Sequence, residues 1–308
     1  ILGQCAAGSC PTLGGAGSGE VGAGAGSGPA GDGTDLNALN VLNDVQGPLT
    51  MKCLYAGRSS GGRASALGQY GGDGRTEGAV LKALEWLKNN QAANGSWGKG
   101  GQPNFIGVTG LGLLTFLAHG ETTASAKYGP TVEKAIRFLI SQQREDGVFG
   151  GLNPGAAGEG GDGHSYAHGI ATYAISEAYG ITRIPSLKQA MEKAVAVVIK
   201  GQQEGGGWDY RYSKGPRKDT SVAGWQIQAL KASYIAGAET PGIKDALSKA
   251  AAYLKSMQNR ESGQIGYSNP GQGNPPITAV GVLCLQLIGH AEDKEVEKGL
   301  QFMRGWDL

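Results

Sequence analysis

Apolar residues recur at i, i+3 and i+4 in a series of segments along this chain, and the segments alternate in kind. One kind spans roughly residues 77–90, 130–143, 186–202 and 241–258. Val80, Leu84 and Leu87, or Val132, Ala135, Ile136 and Leu139, mark an apolar side, and lysine or glutamate occupies the other. That is the signature of a helix with one solvated face. The second kind spans roughly 105–118, 164–179, 220–236 and 276–289 and is nearly uncharged. It is rich in small residues: Gly107, Gly110 and Gly112, then Ala167, Gly169 and Ala171, then Ala223 and Gly224, then Ala279 and Gly281. Helices that are apolar or small all round are interior, and small residues let backbones approach closely. The pattern predicts inner helices wrapped by outer amphipathic ones. A fifth outer helix is predicted from Asp293 to Met303.

Each outer segment ends in a related turn. The four are Gln91-Ala-Ala-Asn-Gly95-Ser-Trp97, Gln143-Arg-Glu-Asp-Gly147-Val-Phe149, Gln202-Gln-Glu-Gly-Gly206-Gly-Trp208 and Gln258-Asn-Arg-Glu-Ser-Gly263-Gln-Ile265. A fixed internal period marks a repeat architecture. In such a turn, glutamine can bond backbone groups left unpaired at a helix end, glycine takes the turn dihedrals, and the aromatic packs over the junction between repeats. These residues therefore read as structural staples.

The turns resemble the QW motif of the prenyltransferase and squalene-oxidase repeat family, in which glutamine is followed by three residues, glycine, one residue and tryptophan. The Gln91 and Gln202 copies match fully, the Gln143 copy carries phenylalanine, and the Gln258 copy is one residue longer and lacks the aromatic. The resemblance covers about residues 77–308. It implies an all-α fold, an α/α toroid of concentric inner and outer helices, often with six helix pairs. Only four pairs and one further outer helix are visible, so the expectation is an incomplete ring with a missing C-terminal repeat.

Glycine supplies 56 of 308 residues, against a usual share of about 7%. Much of the excess lies in residues 1–34, a Gly/Ala/Ser-rich stretch that cannot offset its ordering entropy by side-chain burial. It reads as an N-terminal arm or linker, followed by an ordered lead-in over 35–76 and the toroid repeats over 77–308. A short helix is expected within 35–50. The net charge is +1 without a long basic run, which disfavours nucleic acid as a partner. Of the four cysteines, Cys284 sits in an apolar helical run and reads as a buried thiol. Cys5, Cys10 and Cys53 form no zinc pattern, and their disulfide state stays open.

The family resemblance supplies tests for chemistry. Terpenoid cyclases of the acid-initiated class use Asp-x-Asp-Asp, whose carboxylic acid protonates an alkene or epoxide while aromatics stabilise the cation. That motif is absent. Prenyltransferases bind zinc through a set that includes Asp-x-Cys, and the nearest match, Asp219-Thr-Ser221, has serine in place of cysteine. The Gly-Cys-Gly-Glu-Gln of thioester domains is absent too. A polar cluster remains at the inner-helix starts. His164 and His168 lie four residues apart on one helical face, and Asp219 occupies the matching position one repeat later. They are the candidate acid–base group, with helix capping by Asp219 and loop bonding by the histidines as the alternative. No metal and no cofactor is expected.

With both motifs missing, the sequence favours a non-catalytic structural or binding scaffold over an enzyme. Its expected partner is a protein, met through the arm and the toroid loops, with room for an apolar ligand in the central cavity. The alternative is a terpenoid cyclase-like or prenyltransferase-like enzyme acting on an apolar isoprenoid. An aromatic-lined hollow would favour the enzyme, and a plugged centre the scaffold. The arm points to an extracytoplasmic or membrane-tethered location through upstream sequence.

Overall fold

The computed structural model describes residues 53–98, 105–150 and 164–306. The expected arm over 1–34, the helix within 35–50, Cys5 and Cys10 lie outside them. A 3-10 helix, η1 (Cys53–Arg58), leads into α1 (Ser60–Tyr70). Then outer and inner helices alternate. The outer ones are α2 (Gly74–Asn89), α4 (Gly129–Ser141), α6 (Pro185–Gly201), α8 (Ile243–Ser256) and α10 (Lys294–Arg304). The inner ones are α3 (Ile106–Ala118), α5 (His164–Thr182), α7 (Thr220–Ala236) and α9 (Pro275–Leu287). No strand occurs among the described residues, only isolated bridges. The fold is all-α and layered as an α/α toroid.

Local chemistry sets the helix starts. Asp73 and Thr76 form a reciprocal capping box at α2. Proline occupies the first turn of α4, α6 and α9, where a missing N–H costs nothing. The inner helices pack in chain order, α3 on α5, α5 on α7, α7 on α9. Their small residues make this possible. A Cβ at Gly110 would lie 2.9 Å from Ile170 Cγ2 on α5, and one at Gly224 would lie 2.6 Å from Val280 Cγ1 on α9. The burial order agrees with the predicted layering: most of α7, which carries Gly224, is buried, whereas Lys244 and Lys249 on α8 are exposed. Outer faces carry ion pairs such as Arg137–Glu133 at 2.7 Å and Lys249–Asp245 at 2.8 Å. Cys284 is a buried free thiol, pushed up to about 12 by burial.

All four repeat turns dock on the next outer helix in the same way. The glutamine Nε2 donates to the carbonyl of its own turn glycine, at 2.9–3.1 Å. Its second hydrogen goes forward to Thr131, Ala190, Ala246 or Glu295, at 2.7–2.9 Å. The glycines have φ of +79° to +90°, and each lies against a lysine carbonyl three residues beyond that acceptor: Lys134, Lys193, Lys249, Lys298. A Cβ would come within 2.6 Å of the oxygen at Gly147 and Gly263, and closer at Gly95 and Gly206. Glycine is thus required twice, by dihedral and by clearance. Trp97, Phe149, Trp208 and Ile265 are all buried beneath these joints.

The expected membrane tether requires correction. No helix among the described residues is long and apolar enough to cross a membrane.

Candidate active site

On each inner helix one stripe escapes full burial, at a spacing of three to four residues. In α3 it includes Val108, Leu111 and Thr115, and in α9 Ala279, Leu283 and Gln286. In α5 it includes the half-buried Tyr166 and Tyr173, and in α7 Ser221, Trp225 and Gln228. Outer helices pack on other faces of the inner helices, and these stripes are the wall they leave uncovered. The wall is aromatic where α5 and α7 adjoin.

Asp219 stands at the start of α7, fully buried. It is the N-cap: Oδ1 accepts from the Ser221 and Val222 amides at 3.0 and 3.3 Å, and from the Ser221 hydroxyl at 2.5 Å. Its Oδ2 is buried, with the Tyr267 hydroxyl beside the carboxylate. The Tyr166 hydroxyl donates to Ser221 Oγ, so a hydrogen-bonded path runs from the wall to the carboxyl. Tyr166 stacks on Tyr210 at 5.5 Å, and the Tyr210 and Tyr267 hydroxyls meet. Burial pushes the Tyr166 phenol up to about 12, and burial and then the Asp219 carboxylate push Tyr267 higher. These phenols are hydrogen-bond donors at neutral pH, not bases.

The histidine pairing expected from the sequence takes a different form. His164 opens α5 and its side chain lies outside the described atoms. His168 is fully buried: Nδ1 accepts the Phe149 amide at 3.0 Å, and Nε2 lies 3.1 Å from Ala194 O on outer helix α6. It therefore faces outer helix α6 and touches Phe149 and Tyr212 rather than Asp219. In the first and fourth repeats a threonine hydroxyl does the same work: Thr109 accepts the Trp97 amide and Thr278 accepts the Ile265 amide, both at 3.0 Å. His168 holds a repeat turn. No cluster of three metal-ligating side chains occurs among the described residues.

The sequence reading missed Glu177, which lies on the same α5 stripe as Tyr166 and Tyr173 at the opposite end from Asp219. It is the sole acidic residue in the four inner helices, a signal that was available. Its Oε2 pairs with Arg58 Nη1 of η1 at 2.6 Å. Burial, then the Glu177 carboxylate, pushes both Tyr55 and Tyr173 up to about 12.

No curated protein matches the chain. Among solved structures it is similar to a variant of the type II terpene cyclase MstE from Scytonema, determined with merosterolic acid A as product. That likeness has a TM-score of 0.51 at 17% identity, covering 76% of this chain and 64% of the cyclase. It is also similar to a polysaccharide lyase, with a TM-score of 0.54 at 12% identity over 88% of this chain and 83% of the lyase. At such identities both likenesses speak to the fold alone. The sequence itself says more, because residues 59–217 match the squalene-hopene cyclase C-terminal domain. This match overturns the expectation of a non-catalytic scaffold, which rested on missing motifs, and the chain belongs to the squalene-hopene cyclase C-terminal domain family.

Proposed function

We propose that the chain is a terpenoid cyclase-like enzyme acting on a linear, apolar isoprenoid held in the central hollow, and that its turns are QW-type repeats. The observation that carries this is the wall itself: Tyr166, Tyr173 and Trp225 are half-buried on the inner helices, and Tyr166 is linked through Ser221 to the buried carboxyl of Asp219. Aromatic faces attract a carbocation through their quadrupoles, and a carboxyl within reach can supply the initiating proton. On this reading Asp219 is the acid, and the Ser221 and Tyr166 hydroxyls join its Oδ1 to the wall. Proton addition to a terminal alkene gives a tertiary cation, an internal alkene attacks it to close a ring, and proton loss ends the reaction. The chain spans 64% of the cyclase it resembles in structure, and a whole cyclase's activity is a proposal for it.

The test is incubation with squalene and with a C20 linear isoprenoid, with products read by mass spectrometry. Asp219→Asn keeps a good N-cap while removing the proton, and is expected to lower turnover by about 10²-fold or more. Turnover unchanged in Asp219→Asn would sink the role of Asp219. Turnover of an acidic polysaccharide instead of either isoprenoid would favour the lyase likeness.

A further inference from the structure

The far end of the aromatic wall is polar, and its hydrogen-bonding groups do not balance. Tyr166, Ile170, Tyr173 and Glu177 run along one face of α5, spanning about 16 Å at 1.5 Å per residue. Segment η1 crosses the end of that face. Tyr55 is buried there, and only glycine fits at position 180, because a Cβ would overlap the Tyr55 hydroxyl. Arg58 stacks on the Tyr55 ring at 5.0 Å while pairing with Glu177. Arg183 follows α5 by one residue, gives one nitrogen to the Ala236 carbonyl and stacks on Tyr179 at 5.1 Å.

Two observations mark this end as unfinished. The Tyr55 hydroxyl and Arg183 Nη2 are buried with no hydrogen-bond partner among the described residues, and the buried acceptor of the cluster, Glu177 Oε2, is engaged by its ion pair with Arg58. A buried donor without an acceptor costs about 1–3 kcal/mol, so an acceptor is called for. Arg183 also sits at φ +61°, a left-handed conformation that costs a non-glycine residue about 1–2 kcal/mol. Glycine or asparagine would end the helix there more cheaply, so the strain has a reason other than stopping α5: it places a guanidinium. Two guanidiniums against one carboxylate leave the group with an excess positive charge.

We infer that Tyr55, Arg58 and Arg183 form a head-group site for a planar oxyanion, so that the substrate is an isoprenoid ending in a carboxylate rather than a plain hydrocarbon. The carboxylate accepts from Tyr55 and Arg183, whose planar fork suits it. Glu177 fixes Arg58 beside it. The apolar chain then lies along Tyr173 with its far alkene toward Tyr166. The inference rests on the cyclase reading for the position of the chain.

The test measures binding, not turnover, to the whole chain by calorimetry. The probes are a C15 isoprenoid carboxylate and the C15 hydrocarbon of the same skeleton. The carboxylate is expected to bind at least tenfold tighter. Tyr55→Phe keeps the buried ring and removes only the hydroxyl. Arg183→Gly relieves the left-handed strain and removes the guanidinium. Each should erase most of the preference for the carboxylate, leave hydrocarbon binding unchanged and leave the melting temperature within a few degrees of wild type. Equal affinity for both probes in the wild type overturns the head-group site while sparing the cyclase reading. Unchanged preference in both variants also overturns it and means that water satisfies the two donors. Binding of neither probe overturns both readings.

Discussion

The tryptophan turns and the turns without tryptophan solve one problem by different means. In the first and third repeats the indole N–H ties back to the preceding outer helix, Trp97 to Leu87 O at 2.9 Å and Trp208 to Val198 O at 2.8 Å. Phe149 and Ile265 have no such donor, yet both are as deeply buried, and each pairs with its glutamine as an isolated antiparallel bridge. The glutamine and glycine contacts are the same in all four. Register between repeats is therefore set by glutamine and glycine, and the last residue need only fill volume. That explains why a repeat can drift from tryptophan to phenylalanine to isoleucine without losing its place.

Substitutions can break or sharpen this comparison. The largest effect is expected from Trp208→Ala, about 3–5 kcal/mol in a denaturant melt, because it empties a fully buried site. Trp208→Phe should cost clearly less, and a loss equal to that of alanine would make the indole hydrogen bond, not volume, the essential feature. Gly206→Ala should cost about 3 kcal/mol or more, from left-handed strain plus overlap with Lys249 O. Gln202→Ala and Gln143→Ala should each cost about 1–3 kcal/mol, two hydrogen bonds apiece. A loss confined to Gln202→Ala would show that the tryptophan turns alone are cooperative. His168→Thr should cost about 1–2 kcal/mol and leave turnover of the folded protein unchanged, since threonine fills this role in two other repeats. A selective loss of turnover would return His168 to the chemistry. Lys249→Ala, at an exposed pair with Asp245, should stay under about 0.5 kcal/mol.

Much of the fold could be read from the chain because the layering is written twice, in charge and in residue size. Charged faces identify α2, α4, α6, α8 and α10, and runs such as Gly107 to Gly112 identify the inner helices. Helix α1 left no such mark: Ser60–Tyr70 includes Gly61, Gly62 and Gly68 and buries none of its residues. Its preceding segment η1 matters through Tyr55 and Arg58, whose partners lie more than 100 residues away on α5, a distance over which periodicity carries no information. The site was half legible. Asp219 stands out as a helix start, but helical spacing paired the two histidines with it, and spacing alone could not tell that His168 turns toward α6. Missing family motifs pointed to a scaffold because a motif is one way to position an acid, and its absence does not remove carboxyls such as Asp219 and Glu177 from the inner wall.

The forward reach of the turn glutamines gives the ring a polarity. Donors sit in one repeat and their acceptors in the next. Removing a repeat from the N-terminal side frees only a carbonyl that is already engaged within its own helix. Removing one from the C-terminal side strands an amide hydrogen with nothing to meet. Unravelling should therefore be cheaper from one direction than from the other, and an assembly of such units grows like a zip with a fixed leading edge. Among the described residues the leading clasp is the one that Glu295 of α10 receives from Gln258.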